Sequence, residues 1–483
     1  MQLRSYPQRR KHRRKVVYRG DLCPIQINHS GHSISAQIAD ISIHGLGLII
    51  EKSSLANTTL SAGAIIEVLP ELDPIQKAPT STSPLHYQIV YLQELQSGDL
   101  DCVKVGLMQI EDKTKTRENR RHARHRAPPT VKTFVTFEHP LFPLRQVYGE
   151  LTTISPFGIS ITSSLRNGDL LPNQSVRLTM NFPLSGILRC YARINGVSIS
   201  KDGDFAILNF VISSNLREFQ EKAVESILMS PNAPTIRELR AQGFAIHQGS
   251  AAISFEYKSD QQDLHDIASL RMRAMHHQGE LLNVQDPLKL IDSYDQFSRH
   301  IIARVNGRLI ASTRLIYNNG HSTRVEHSIY GVKLPDWLWE AGFVECGRLV
   351  TDPDYRGADL FLNMMRFIGK TILTSGYRYM ISSCTTKLER VYLRSGCRKI
   401  GSFRIEGDPN EWSLLVVDFE NTSKGIGVNP ITWNILQRPM VDYLVRNKTL
   451  KLNILHKGLL KFYRLFEPMS RKIMDQTKGK SSQ

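Results

Sequence analysis

Two arginine clusters, each followed by a Ser-x-x-Gly turn, are the residues of this chain best suited to bind a phosphate-bearing ligand. The first set joins a basic arm to a turn and consists of Arg9, Arg10, Arg14, Asp40, Ser42 and Gly45. Guanidinium groups pair with phosphate oxygens or with the O6/N7 edge of guanine, and they stack on bases. Asp40 and Ser42 add an acceptor and a hydroxyl, and Gly45 allows a backbone conformation that a Cβ would forbid.

A second set repeats the first and consists of Arg120, Arg124, Ser155 and Gly158. The arginines are 110 residues apart in the two copies and the glycines 113, which indicates an internal repeat of one domain. Apolar residues alternate on both sides of the first turn, as in a half-buried β-hairpin. Thr153 stands where the first copy has Asp40. The second copy could therefore bind the ligand or be a structural or dimerising domain.

An RxxxR arm joined to a D/NxSxxG turn resembles the PilZ domain, a receptor for the dinucleotide cyclic di-GMP. The resemblance implies two β-barrels whose arginine and turn residues bind cyclic di-GMP as an allosteric ligand. The alternative is a solvated basic arm, because residues 1–20 contain eight Lys or Arg. A nucleic-acid partner is disfavoured, since no aromatic–basic platform accompanies the arginines.

Composition limits the class of protein. The 483 residues predict roughly three domains, and 41% hydrophobic with 22% charged residues is ordinary for globular proteins. No apolar run reaches the length of a membrane span, and six scattered cysteines without a CxxC pair argue against both disulfides and a metal site. The net charge of +17 favours an anionic partner.

Charged and proline-containing stretches in the sequence indicate the boundaries of four segments. A charged run ending in Ala127-Pro128-Pro129 separates the repeats, and the proline-containing stretch after Ser230 begins a linker. The expected segments are residues 1–112 and 117–230 for the two repeats, 250–422 for a third domain and 424–483 for a tail.

Acidic and basic residues recur in the third segment: Asp292, Asp295, Arg314, Glu345 and Arg348. Their convergence on one cleft would suit a zwitterionic amino acid. The elements expected to position them are a helix at 261–276, a hairpin turning at Asn306-Gly307, a strand at 343–351, a helix at 359–375, a strand at 377–384 and a helix containing Tyr392.

This order of elements resembles the GNAT acyltransferase fold over about residues 250–420. Within it the DxxD, xxRL and ExxR elements look like those of acyl-homoserine-lactone synthases and bacterial N-acyl amino acid synthases. The resemblance implies an N-acyltransferase that moves a fatty acyl group from a thioester to an amino acid-type amine. The predicted fold class is thus multidomain: two β-barrel PilZ-like domains, an α/β GNAT-type domain and a basic helical tail.

The reaction suggests roles for the site residues. Glu345 is the expected base, directly or through water, and Arg314 or Arg348 would hold the acceptor's carboxylate. Asp292 and Asp295 would bind its ammonium or hold the arginines. Backbone N–H groups near Leu349 would polarise the thioester carbonyl, and Tyr392 occupies the place where related enzymes protonate the leaving thiolate.

Each assignment has a structural alternative. Glu345 and Arg348 could form only a salt bridge, Asp292 and Asp295 could cap a loop, and Tyr392 could be a packed core residue.

The donor is expected to contact Arg356 and Gly357, which precede a helix. Asp359 beside this loop would repel a pyrophosphate, which favours acyl carrier protein over acyl-CoA as the donor.

The tail carries twelve Lys or Arg against three Asp or Glu, hence +9, interleaved with apolar residues. A basic amphipathic helix could contact an anionic membrane or the carrier protein, or pack on the enzyme domain. The sequence predicts a cytoplasmic bacterial signalling protein, with peripheral contact at the inner face of the membrane as an option. The alternative function is a cyclic di-GMP receptor whose third domain only binds a partner.

Overall fold

The computed structural model describes most of the chain, namely residues 15–16, 23–42, 45–55, 58–69, 85–97, 100–110, 122–129, 131–142, 144–167, 169–246, 252–258, 263–279, 283–319, 325–357, 359–406, 408–470 and 473. Arg9, Arg10, Arg14 and Arg120 lie outside these ranges. The chain divides into two compact units, Met1–Ser230 and Pro231–Gln483.

The first unit begins with an antiparallel barrel. Its strands are β1 (Lys15–Val16), β2 (Cys23–His29), β3 (His32–Ser42), β4 (Gly45–Glu51), β5 (Ile65–Leu69), β6 (Leu85–Ser97) and β7 (Leu100–Gln109). They pair in the order β1-β3-β2-β5-β6-β7-β4, and β4 returns to β3, which closes six strands into a barrel. Alternate residues such as Ile34, Ala36 and Ile38 are buried because successive side chains of a strand point to opposite faces.

The same topology is repeated in the second half of this unit. The elements are β8 (His125–Arg126), β9 (Phe134–Glu138), β10 (Gln146–Ser155), β11 (Gly158–Ser164), β12 (Ser175–Phe182), β13 (Gly186–Ile199), β14 (Phe205–Ile212) and helix α1 (Leu216–Leu228). The order β11-β14-β13-β12-β9-β10-β8 is closed by pairing of β11 with β10. The two-barrel prediction is therefore confirmed.

The second unit contains a mixed seven-stranded sheet. Its strands are β15 (Ile253–Lys258), β16 (Arg299–Val305), β17 (Arg308–Asn318), β18 (Phe343–Thr351), β19 (Tyr379–Thr385), β20 (Cys397–Arg404) and β21 (Glu411–Asp418). Their order is β15-β16-β17-β18-β19-β21-β20. The hairpin turn has positive φ at Asn306 and Gly307, as the Asn-Gly signal predicts.

Helices surround this sheet and form the tail. They are α2 (Ile236–Ala241), α3 (Leu264–His277), α4 (Asp336–Ala341), α5 (Leu360–Thr374), α6 (Thr386–Arg394), α7 (Phe419–Ser423), α8 (Pro430–Thr432), α9 (Arg438–Arg446) and α10 (Ile454–Arg464). Helix α5 buries Leu360, Met364, Ile368 and Ile372, one residue per turn. The α/β class expected for the third domain is confirmed.

The tail is a group of short helices and not one long helix. A π-helical turn, Trp433–Gln437, joins α8 to α9, and a small core forms around the fully buried Trp433. Among the described residues, no helix is long and apolar enough to cross a membrane.

Candidate functional site

The arm of each barrel runs beside its Ser-x-x-Gly turn. In the first barrel Lys15 lies opposite Ile41, and in the second His125 lies opposite Ile154. Ile41 and Ile154 occupy equivalent positions in the two turns, so Lys15 and His125, which lie opposite them, also correspond. The residues that precede these two in the sequence are Arg14 and Arg124, which are therefore equivalent. Arg10 then corresponds with Arg120.

The turns themselves have the same geometry. The Ser42 hydroxyl donates to the Gly45 carbonyl at 3.3 Å, and the Ser155 hydroxyl donates to the Gly158 carbonyl at 3.0 Å. Glycine was expected in these turns because of its backbone freedom, but neither Gly45 nor Gly158 has a positive φ. A Cβ would instead lie 2.6 Å from the carbonyl oxygen of Leu107 in the first barrel, and 2.3 Å from that of Phe210 in the second.

Two glycines, Gly47 and Gly106, are directly paired on adjacent strands beside the first turn. The Asp40 carboxylate occupies the space over Gly47, where a Cβ would lie 2.5 Å from its Oδ2, and Lys104 is 3.2 Å from the same oxygen. The Tyr91 ring occupies the space over Gly106, where a Cβ would overlap its Cε1 atom. The first barrel therefore packs an acid and an aromatic ring over its two glycines, with a lysine beside the acid.

Polar side chains fill the equivalent space in the second barrel. Ser160 and Asn209 pair at the positions of the two glycines. Arg124 donates from Nη1 to the Ser160 hydroxyl at 2.9 Å and to Asn209 Oδ1 at 3.2 Å. The second barrel thus uses its arm arginine for contacts within the protein.

Five residues of the second unit form an acid–arginine cluster: Asp292, Asp295, Arg314, Glu326 and Arg348. Four were expected from the sequence; Glu326 was missed, because it belongs to an irregular segment with no recognised motif. Its carboxylate lies 2.7 Å from Arg314 Nη2 and 3.0 Å from Arg348 Nη2.

The inner half of the cluster is buried. The Asp295 carboxylate accepts hydrogen bonds from Nη1 and Nη2 of Arg271, at 2.8 and 2.9 Å, and its Oδ1 lies 3.2 Å from His300 Nε2. Burial alone would raise the pKa of Asp295, but the bonds from Arg271 and His300 outweigh it and hold that pKa well below its usual range. Arg314 is also fully buried, with carboxylates around it. Asp295 and Arg314 are thus both buried, and Asp295 holds Arg271 and Arg314, which is one of the two roles expected for it.

The outer half reaches solvent through Arg348. Its side chain is 37% exposed and that of Asp292 is 32% exposed, with 3.3 Å between Arg348 Nη2 and Asp292 Oδ2. Asp292 also caps the helical turn Ser293–Gln296, accepting from the N–H groups of Tyr294 and Asp295. Arg348 has φ +53°, which is unusual for a residue with a Cβ and is often found at functional sites.

Glu345 lies behind the cluster and is fully buried. Its carboxylate accepts the backbone N–H groups of Glu326 at 2.8 Å and His327 at 3.1 Å, and the His327 ring contacts it. These hydrogen bonds hold the segment that carries Glu326.

Strands β18 and β19 separate beside the cluster. Their parallel pairing covers Phe343–Glu345 against Tyr379–Ile381 and extends no further in these fully described strands. Tyr392 of α6 is half-buried near this opening. Burial raises the pKa of its hydroxyl, with further contributions from Cys346, Cys384 and Cys397, so it stays protonated at neutral pH.

The expected donor loop is tied to α2. Arg356 folds back onto Thr351, with Nε 3.3 Å from its hydroxyl. The Arg356 carbonyl accepts a 2.7 Å bond from Arg240 Nη1, and a Cβ on Gly357 would lie 2.8 Å from the same nitrogen. Gly357, at φ +82°, therefore gives Arg240 access to the loop.

Comparisons with known proteins agree with this geometry in the second unit. Residues 266–411 match the family model described as N-acyl amino acid synthase FeeM, a segment that contains the acid–arginine cluster and Tyr392. No curated protein matches the chain.

Three solved structures are similar to parts of the chain. FeeM, an N-acyl amino acid synthase from uncultured soil microbes, has 14% identity and a TM-score of 0.30, over 36% of this chain and 94% of that one. The acyl-homoserine-lactone synthase LasI has 16% identity and a TM-score of 0.29, over 35% and 89%. YcgR from Escherichia coli, solved with cyclic di-GMP, has 15% identity and a TM-score of 0.17, over 40% and 77%. The family match confirms the expected enzyme class: the second unit carries an N-acyltransferase domain similar to N-acyl amino acid synthases.

Proposed function

We propose that this protein is a cyclic di-GMP-responsive N-acyltransferase. It moves a fatty acyl group from the thioester of acyl carrier protein, or of acyl-CoA, to the amine of an amino acid-type acceptor. We assign residues 1–112 and 117–230 to the sensor domains, 250–422 to the enzyme and 424–483 to the tail. The observation that carries the proposal is the exposed Arg348–Asp292 pair beside the opening between β18 and β19.

The acceptor binds by replacing that ion pair. Its carboxylate takes the Arg348 fork and its ammonium takes Asp292, so the contacts of Arg348 with Asp292 and with Glu326 Oε1, at 3.3 and 3.0 Å, are replaced by two ion pairs with the substrate. The ammonium must lose one proton before it can attack and a second proton after the C–N bond forms. Glu326, released from Arg348, can accept the first of these protons, while Glu345 acts as a positioning residue through its bonds to that segment.

The thioester enters the opening between the strands. The amine nitrogen attacks the carbonyl carbon, a C–N bond forms, and the C–S bond breaks to release a thiolate. Tyr392 gives this thiolate its proton and is reprotonated by the second proton that the nitrogen loses, while the proton on Glu326 passes to solvent. Burial raises the pKa of the Tyr392 hydroxyl, which keeps it protonated between turnovers although it also makes it a weaker acid. The products are an N-acyl amino acid and a thiol.

Tyr392→Phe tests the proton donor. We expect kcat to fall roughly tenfold, less than many general acids contribute, because a thiolate is a stable leaving group. Donor and acceptor KM should change little. The measurement is acyl transfer by the full chain; an unchanged kcat would reduce Tyr392 to a packing role.

Cyclic di-GMP binds the first barrel, and the second barrel is structural. In the first barrel Asp40 and Tyr91 cover Gly47 and Gly106, whereas in the second barrel Ser160 and Asn209 occupy the glycine positions and bind Arg124, so that arginine is already engaged within the protein. This difference supports one sensor site per chain. Accordingly, Thr153, which stands at the position of Asp40 in the second barrel, is expected to contact no nucleotide.

The signal reaches the enzyme through Arg240. Helix α2 follows the second barrel in the chain, starts with a Thr235–Glu238 capping box, and contacts the donor loop through Arg240. We expect Arg240→Ala to raise the donor KM and to shrink the ratio of activities with and without cyclic di-GMP towards one. Arg446→Ala, at an exposed arginine of α9, is the matched control and should keep the wild-type ratio. If both variants showed the same ratio of activities with and without cyclic di-GMP, the signal would reach the enzyme by a route other than Arg240.

Mass spectrometry of lipid extracts tests the whole proposal. Cells expressing the chain, with and without a cyclic di-GMP-producing enzyme, should contain new N-acyl amines whose yield changes with the nucleotide. Arg348→Ala should remove them, and Arg299→Ala, an exposed arginine of the same sheet, should not. Absence of any such product from wild-type protein that still binds cyclic di-GMP would favour the non-catalytic receptor.

A further inference from the structure

Helix α10 exposes an apolar stripe to solvent. Its members are Ile454, Leu455, Phe462, Leu465 and, in the helical turn that follows, Met469. Ile454 is 87% exposed, Leu455 80% and Leu465 73%. At about 100° per residue, the five side chains fall within one arc of roughly 100°. The stripe is therefore a continuous face.

The opposite face of α10 is attached to the unit. Leu460 is buried in the core around Trp433, and Tyr463 donates from its hydroxyl to the carbonyls of Gly425 at 3.0 Å and Val428 at 3.1 Å. Because these contacts fix the rotation of the helix, the apolar stripe faces outward, and its members remain largely exposed in the part of the chain that the structure describes.

Cations flank one side of the stripe. Lys457 and Lys461 follow at helical spacing, and the helix contains no Asp or Glu. Arg464 lies on the same side and is paired with Asp442 at 2.8 Å. Glu467, the first acidic residue after the helix in the sequence, forms an ion pair with Arg438. An apolar face with a basic border matches helices that lie in the interface of an anionic bilayer.

We propose that this face of α10 docks the protein on an anionic lipid surface. The stripe enters the acyl boundary, while Lys457 and Lys461 meet lipid phosphates. A second copy of the chain would bring the same cations together with no acid in the helix to pair them. A bilayer satisfies both the apolar stripe and the basic border. The inference stands independently of the acyl-transfer proposal, because it uses none of the residues of that site.

Vesicle co-sedimentation of the full chain tests this surface. We expect binding to vesicles of equal parts phosphatidylcholine and phosphatidylglycerol, and little binding to phosphatidylcholine alone. Leu455→Glu with Leu465→Glu should weaken partitioning by about a hundredfold, roughly tenfold per buried leucine. Lys457→Glu with Lys461→Glu should weaken it about fivefold or more per charge, and high salt should act in the same direction. Leu144→Glu, at a 93% exposed leucine of the first unit, is the control and should bind as wild type.

Other outcomes would overturn the assignment. Unchanged vesicle binding by both double variants would exclude α10 as the contact. If the wild-type protein does not bind vesicles and the variants lose binding to acyl carrier protein, the partner of this face is an acidic protein. If the variants instead convert a dimer into monomers in light scattering, the partner is a second copy of the chain. Acyl transfer with a soluble donor, measured on the same samples, should be unchanged, which separates failure of this surface from failure of the enzyme proposal.

Discussion

Replacing Arg348 should remove most acyl transfer and leave the fold intact. With Arg348→Ala the acceptor's carboxylate loses a charged fork of two hydrogen bonds, each contributing about 1.5–3 kcal/mol. Part of this is screened because the side chain is 37% exposed. We expect kcat/KM to fall about a hundredfold to a thousandfold. Arg348→Lys, which keeps the charge without the planar fork, should recover only part of the activity.

Arg348→Gly separates a binding role from a structural one. The φ of +53° costs an arginine roughly 1 kcal/mol or more that glycine does not incur. If Arg348 served mainly as a salt bridge, Arg348→Gly would lower the melting temperature. We expect the melting temperature to stay near that of wild type while activity is lost. Glu345→Ala is a poorer test, because it would leave two buried N–H groups without their acceptor.

Arg14→Ala and Arg124→Ala should have opposite consequences, although they occupy equivalent positions in the two barrels. Loss of one charged contact predicts a cyclic di-GMP affinity lower by about tenfold to a hundredfold for Arg14→Ala. Arg10 and Arg14 replaced together should abolish micromolar binding. Arg124→Ala should leave the affinity unchanged, because that guanidinium binds Ser160 and Asn209.

Titration calorimetry and thermal melting distinguish these consequences. The expected stoichiometry is one class of site per chain, and the melting temperature should fall for Arg124→Ala but not for Arg14→Ala. Equal losses of affinity in both variants would mean that both barrels bind the nucleotide.

Local patterns predicted many elements closely. The strand expected at 343–351 is Phe343–Thr351, and the helix expected at 359–375 is Leu360–Thr374. Alternation, helical spacing and Asn-Gly turns depend on neighbouring residues, so the sequence contains them directly. The linker after Ser230 was incompletely predicted: it contains α2, and the Thr235-x-x-Glu238 capping box was its available signal. The tail divides between α9 and α10, where Lys448 has a positive φ and Asn453 caps the start of α10, whereas Pro439 lies within a continuous helical run that the π-helical turn before it accommodates.

The sequence by itself determined the two repeats, the α/β domain and most of the residues that meet in the acid–arginine cluster. Only the tertiary structure decided which of them face solvent. Arg314 and Glu345 are buried while Arg348 is exposed, although all three lie on the adjacent strands β17 and β18. Burial depends on what packs above each face of a sheet, and that packing comes from residues distant in the chain. Glu326 reaches the cluster, and Arg240 the donor loop, for the same reason: contacts across long sequence separations are set by the folded packing and leave no local pattern.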